Sequence, residues 1–304
     1  MGTAVRPAKT SPGPWDALDD VDAFVDEVLA ELEAMAKDGT RPILSGPKPP
    51  LVGAALRKAV MAIWCVCFCG MQWRAIGLLC DIPFGTLYGL FARWTRLGLW
   101  GRLLDRLRRT WRRSCGDAPE PSAVVIDSRS CRSAPSCFDR GIDGGKKIRG
   151  VKIHVAVDKF GIPLAIDVSP ANRHDTKGIV PVLRTLAEGG FKGQAIGDLR
   201  YRGERLANMG ETRGITVETI ARGRDGRFVP AGICWATLPK VPLARARGMA
   251  EEGVERSLAW LTRYRRLNTI FERSKEHLIA FVSIAFISIL ARRMKRLVVE
   301  ELSA

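Results

Sequence analysis

From Trp15 to Met35 apolar residues recur at helical spacing: Leu18, Val21, Val25, Val28 and Leu32 form a stripe, and Asp20, Asp22, Asp26, Glu27, Glu31 and Glu33 fill the rest. The pattern predicts an acidic amphipathic helix, either docked on a basic body or projecting as a dimerisation or regulatory arm. Lys37 to Gly53 is rich in Pro and Gly and reads as a linker. Helical periodicity resumes at Ala54–Gly70 and at Trp73–Leu79, breaks at Cys80-Asp81-Ile82-Pro83, and returns in a helix that begins between Pro83 and Thr86 and runs through Phe91 and Trp94. Two helices across so short a break are a helix-turn-helix candidate.

Beyond Gly116 the period changes to that of strands. Ala123–Asp127 is a short buried-type run, Ile148–Asp158 alternates, and Pro163–Ser169 returns after a turn at Lys159-Phe160-Gly161, which predicts an antiparallel meander. Helix (Thr176–Glu188), strand (Ala195–Asp198), helix (Gly203–Arg213) and strand (Ile215–Ala221) follow. A loop-like insertion at 222–250 and a long helix from about Gly253 complete the pattern. The order βββαβαβ is that of an RNase H-like α/β core, a mixed five-stranded sheet flanked by helices. The expected organisation is an acidic helix and linker (1–53), a helical DNA-binding block (54–120), the RNase H-like domain (121–296) and a short tail (297–304).

Composition narrows the partner. Of 304 residues 46% are hydrophobic and 26% charged, which excludes a disordered chain and a small disulfide-stapled module. Lys plus Arg number 48 against 32 acids, a net charge of +16, and such a bias points to a polyanion, nucleic acid before membrane. Arg93, Arg96, Arg102, Arg106, Arg108, Arg109, Arg112 and Arg113, interleaved with Trp94, Trp100 and Trp111, are candidates for phosphate contacts; a solvated helix face is the alternative. Lys146, Lys147, Arg149 and Lys152 form a second basic cluster.

The eight cysteines lack the spacing of a zinc knuckle or a disulfide frame, and the first fifteen residues lack the apolar core of a signal sequence. A cytoplasmic protein is the expectation. Leu278–Ala291 is shorter than the roughly twenty apolar residues a bilayer span requires, so it is expected to be a core helix.

Asp127 and Asp198 each end a predicted strand, and Glu255 opens the late helix. If adjacent strand ends bring the aspartates together, three carboxylates without His or Cys favour hard ions, Mg²⁺ with Mn²⁺ as substitute, and the metal-assisted phosphoryl chemistry such ions support. Independent capping roles are the alternative. Periodicity also places Thr262, Arg263 and Arg266 on the Glu255 face of that helix. His154 and His174 are expected to be structural, and Asp175 to cap a helix beginning at Thr176.

The ordered blocks resemble a known family. They are Ile126-Asp127-Ser128; Arg140 through Gly150; Lys152-Ile153-His154 through Asp158; Ala171-Asn172-Arg173-His174-Asp175; Gly197-Asp198 with Tyr201-Arg202-Gly203; and Val254-Glu255-Arg256 with Trp260-Leu261 and Tyr264 through Leu267. In this order they resemble the DDE transposases of bacterial insertion sequences, specifically the IS-five family. Trp73-Arg74, Tyr88 through Trp94 and Gly98-Leu99-Trp100 look like that family's N-terminal DNA-binding region.

The resemblance implies Asp127, Asp198 and Glu255 as the metal-binding triad, and Arg256, Arg263 and Arg266 as phosphate contacts. It further implies double-stranded DNA, both terminal inverted repeats and target, as substrate, a homodimer or higher oligomer on that DNA, and a nucleoid-associated rather than a membrane protein. Leu199 and Arg200 depart from the small residues commoner after the second aspartate. Glu251-Glu252-Gly253 likewise replaces the Arg-Trp expected before Glu255. A catalytically disabled DNA-binding protein and an RNase H-like nuclease without strand transfer are the competing functions.

Overall fold

Helix α1 (Val21–Lys37) buries Val25, Val28 and Leu32 of the predicted stripe together with Phe24 and Met35, and leaves Val21 half-buried. The computed structural model describes residues 21–43, 51–222, 228–230 and 254–303, with the backbone alone for 221, 222, 228–230, 254–256 and 298–303. Leu18, part of the predicted linker and most of the predicted insertion therefore lie outside the described residues. Four acids of α1, Asp22, Asp26, Glu27 and Glu31, pair with the basic body. Arg57 reaches Asp22 and Asp26, and Arg102 and Arg106 share the buried carboxylate of Glu31. Of the two expectations for this helix, docking is the one observed.

Helices α2 (Gly53–Cys69), α3 (Trp73–Cys80), α4 (Phe84–Arg96) and α5 (Leu99–Ser114) form the helical block. Between α3 and α4 the axis bends by 115°. Asp81 adopts the left-handed conformation that ends α3. Gly77 permits the tight crossing, because a Cβ there would lie 2.9 Å from the Phe84 backbone nitrogen.

Strands β1 (Ala123–Ser133), β2 (Gly141–Asp143), β3 (Ile148–Val157), β4 (Pro163–Pro170), β5 (Gly193–Asp198), β6 (Ile215–Arg222), β7 (Phe228–Pro230) and β8 (Thr269–Ile270) belong to one mixed sheet. Its central order is β4-β3-β1-β5-β6, with β1 antiparallel to β3, β3 antiparallel to β4, and β1, β5 and β6 parallel. That arrangement is compatible with the expected RNase H-like sheet, with β2, β7 and β8 added to the five predicted strands. Helices α6 (Asp175–Gly178), α7 (Val180–Glu188) and α8 (Glu204–Glu211) flank it.

Two expectations need correction. Strand β1 does not stop at Asp127: it continues to Ser133, paired with β3 from Asp127↔Val155 to Arg132↔Gly150. Gly150 allows this close pairing, since a Cβ there would strike the Cys131 carbonyl. The long helix from Gly253 is instead a short one, α9 (Val254–Trp260), followed by 3-10 turns at Leu261–Arg263 and Arg265–Leu267 and then β8. Tyr264 is extended (φ −89°, ψ 100°) and fully buried, its ring edge-on to Phe68 at 5.5 Å. Insertion of that ring into the core interrupts the helix, so Arg263 and Arg266 do not share a helical face with Glu255.

Helix α10 (Lys275–Ser303) is long and apolar enough by composition to cross a bilayer, but Leu278, Phe281, Ile284, Phe286 and Leu290 are buried inside the protein. It packs on α1, α2, α4, α5 and β4. Trp64 donates its indole N–H to Ser288 on this helix at 3.0 Å. A core helix is therefore what the structure contains. A smaller core on the opposite side of the sheet joins Val124 and Ile126 to Val182, Leu186, Tyr201 and Leu206.

Candidate active site

The parallel pairing of β1 with β5 runs Ala123↔Gln194, Val124↔Ala195, Val125↔Ile196. Asp127 and Asp198 each lie two residues beyond the last of these pairs. Asp127 is mid-strand and half-buried, whereas Asp198 leaves β5 and opens the 3-10 turn Leu199–Tyr201. The Asp198 carboxylate caps that turn by accepting the Arg200 backbone N–H at 2.9 Å.

The Arg200 side chain folds back over the same carboxylate. Its Nε donates to Asp198 Oδ2 at 2.7 Å. One terminal nitrogen lies 3.8 Å from Asp127 Oδ1 and the other 3.9 Å from Asp175 Oδ2. Three nitrogens of one planar group thus face three aspartates.

Behind this cluster lies a second layer of buried polar groups. Asp175 accepts the Ser128 hydroxyl at 2.8 Å and faces Lys152 Nζ at 3.1 Å. Lys152 is buried, donates to the Arg173 carbonyl, and lies 3.9 Å from Asp143, which accepts from Ser130. The helix expected to begin at Thr176 begins at Asp175. Its cap is His174, whose Nδ1 accepts the Thr176 N–H, so Asp175 is not the capping residue. His154 is fully buried against Ser169 and Gly178; a Cβ on Gly178 would fall 2.3 Å from the imidazole.

Burial pushes the Asp127 carboxyl up to about 6; the Ser128 N–H and Arg200 oppose this and the charge of Asp198 adds to it. Burial acts on Asp143 and Asp175 in the same direction but is outweighed. Ser130, backbone N–H groups and Lys152 hold Asp143 below the usual carboxylate range, and Ser128, Lys152 and Arg200 do so for Asp175. Burial drives His154 down to about 4.

Glu255 lies on α9, and its side chain is outside the described residues, as is that of Arg256. Among the described residues no three His, Cys, Asp or Glu side chains close on a common metal position. The donor chemistry nevertheless fits a hard divalent ion. Asp127 and Asp198 are oxygen donors already facing one cation, and their mutual repulsion is the kind that a bound positive ion relieves.

The basic residues divide sharply. Arg112 is buried and pairs at 3.0 Å with fully buried Asp158, and Arg266 is held by buried Glu272 at 2.8 Å. Arg106 pairs with Glu27 and Glu31, Arg109 with Asp105 and Glu120, and Arg93 donates to the Arg41 and Pro42 carbonyls. These five expected phosphate ligands are therefore engaged by the protein's own groups.

Lys146, Lys147, Arg149, Arg96 and Arg263 are exposed, and among the described residues no ion pair engages them. The first three project from the β2–β3 hairpin, whose turn is shaped by Asp143 accepting the Gly145 and Lys146 N–H groups. The arginine engagements were not legible in the sequence, because partners such as Asp158 lie far along the chain. All described cysteines are free.

Residues 118–227 match the family model of a transposase DDE domain. The matched segment takes in β1 through β6, with Asp127, Asp198 and Arg200, and ends before Glu255. Neither the curated proteins nor the solved structures yield a match.

Proposed function

We propose that this protein is a DDE transposase that cuts the phosphodiester backbone at the ends of an insertion sequence and joins the liberated 3′-hydroxyl to target DNA. The observation that carries this reading is the meeting of Asp127 and Asp198 at a parallel strand pair around a single cation, within the segment that matches a transposase DDE domain. The ordered IS-five-like blocks support the same family. In this reading Asp127, Asp198 and Glu255 hold divalent metal, Mg²⁺ or Mn²⁺, which when bound supplies an activated oxygen nucleophile and charge neutralisation at the phosphate.

The protein's own groups do the rest. Ser128, Lys152 and Asp175 form a buried hydrogen-bonded wall that fixes β1 behind Asp127. Lys146, Lys147 and Arg149 hold the DNA backbone beside the site, helped by Arg263, Arg96 and, from α9, Arg256. The bent α3–α4 pair reads the terminal inverted repeats, with Phe84, Thr86 and Tyr88 on its exposed face. A dimer on DNA brings two ends together.

The test is cleavage and joining of end DNA in Mg²⁺ and Mn²⁺. Asp127→Asn, Asp198→Asn and Glu255→Gln each lose both reactions by several orders of magnitude while retaining DNA binding. Near-normal cleavage by Asp198→Asn would refute the triad. A wild-type protein that binds the ends and never cuts them would point instead to a DNA-binding protein without catalysis.

A further inference from the structure

Arg200 stands where a cation is required. Both oxygens of Asp198 are occupied by this one residue, Oδ1 by its backbone N–H and Oδ2 by its Nε. Its two terminal nitrogens face Asp127 and Asp175 on either side. A guanidinium is planar, always charged, and presents its donors in a rigid fork. Here that fork distributes a single positive charge among three carboxylates that would otherwise repel one another.

The rest of the wall does not depend on it. Asp175 keeps Ser128 and Lys152, and Lys152 keeps Asp143 and the Arg173 carbonyl. The Arg200 side chain is 50% exposed, so no packing shell blocks its exit toward solvent.

A divalent ion held by Asp127 and Asp198 must take carboxylate oxygens at about 2.0–2.1 Å if it is Mg²⁺. The Nε contact on Asp198 Oδ2 and the nearby nitrogen at Asp127 Oδ1 occupy that space with like charge. The two cations therefore compete for these oxygens. We propose that Arg200 is a tethered counter-ion of the metal site: it partly offsets the charge of Asp127, Asp198 and Asp175 in the metal-free protein, and divalent metal binds by displacing it into solvent.

Arg200 is thus a positioning residue that sets how much metal the site demands. Its release couples metal loading to a freed guanidinium at the mouth of the site. The inference rests on the reading of Asp127 and Asp198 as metal ligands.

The experiment is Mn²⁺ titration of the full chain by calorimetry, without DNA, for wild type, Arg200→Ala, Arg200→Lys, Arg202→Ala and Asp198→Asn. Removing a competing ligand coupled to the same oxygens should tighten Mn²⁺ binding by about tenfold or more in Arg200→Ala. Arg200→Lys, which keeps the charge but not the three-way fork, should fall between that variant and wild type. Arg202→Ala removes an equal charge from the neighbouring turn and controls for general electrostatics; it should leave the affinity near that of wild type. In parallel, the Arg200 Nε–H resonance should shift with Mg²⁺ and saturate along the same binding curve.

Equal tightening by Arg200→Ala and Arg202→Ala, or an Nε–H signal indifferent to bound Mg²⁺, would overturn displacement. Unchanged or weaker binding in Arg200→Ala, with binding still lost in Asp198→Asn, would overturn the proposal and leave the metal site standing. Binding absent from wild type and Arg200→Ala alike, or unaltered in Asp198→Asn, would overturn both.

Discussion

Helix α5 and the strand-end cluster around Asp127 use the same chemistry to opposite effect. On α5 nearly every arginine finds an acid: Arg102 and Arg106 take Glu31, Arg108 and Arg109 take Asp105 and Glu120, and Arg112 takes Asp158. Those pairs tie α1, the segment after α5, and the β3–β4 turn to one helix. In the cluster around Asp127 four aspartates, 127, 143, 175 and 198, share Lys152 and Arg200 as their only ion-pair partners among the described residues. The first region is balanced and serves as fastening. The second carries surplus negative charge, which costs stability.

Variants that separate fastening from function test this contrast. The largest expected effect is Asp158→Ala, which strands the buried Arg112 guanidinium and removes the acceptor for the Phe160 and Ile162 N–H groups. It should cost about 3–5 kcal/mol in urea unfolding, and a loss below about 1 kcal/mol would deny the fastening role.

Next is acid sensitivity at the wall behind the site. His154 has its folded value lowered to about 4 against an unfolded value near 6.5, so between these pH values the unfolded chain binds the extra proton. Stability should fall by about 3 kcal/mol as pH drops through that window, and His154→Gln should flatten the slope.

Asp127 behaves in the opposite sense. Its folded value is raised to about 6, so its ionisation removes stability as pH rises from the unfolded value toward 6. Asp127→Asn should therefore stabilise the metal-free protein by about 1–2 kcal/mol at pH 8 while destroying catalysis. A destabilised Asn variant would class this aspartate with those of α5.

The smallest stability effect belongs to Arg106→Gln, about 1 kcal/mol or less, because Arg102 still serves Glu31. That variant should leave the salt dependence of DNA affinity unchanged. Neutralising Lys146, Lys147 and Arg149 together should flatten it by about one counterion per lost contact. Identical salt slopes would return the hairpin to solvent.

The five main strands and the nearness of Asp127 and Asp198, which face one Arg200, were legible because apolar runs of strand length end in acids, and their order implies adjacency. The polar half of β1 was not. Ser128-Arg129-Ser130-Cys131-Arg132 carries no apolar alternation, and its strand character comes from pairing with β3 and from hydrogen bonds to Asp143 and Asp175. The end of α9 was hidden for a related reason: no Gly or Pro marks it, and the break comes from burial of Tyr264. Lys152 looked like a DNA contact beside three exposed basic residues, but the inward side of β3 buries it. Arg200 was conspicuous only as a bulky residue in a small residue's place. Its three partners come from β1, β5 and the start of α6, a convergence that spacing along the chain does not encode.

Helix α10 also bears on the order in which the protein becomes competent. A ribosome delivers α2, α4 and α5 long before it delivers residues 275–291, yet these helices lean on Phe281 and its neighbours to complete their core. A nascent chain stopped before α10 leaves Trp64 without its serine and Phe91 without its stacked ring. Helices α2, α4 and α5 thus complete their core only after every described strand of the sheet has been synthesised, so translation itself places the finishing of the helical block behind that of the sheet.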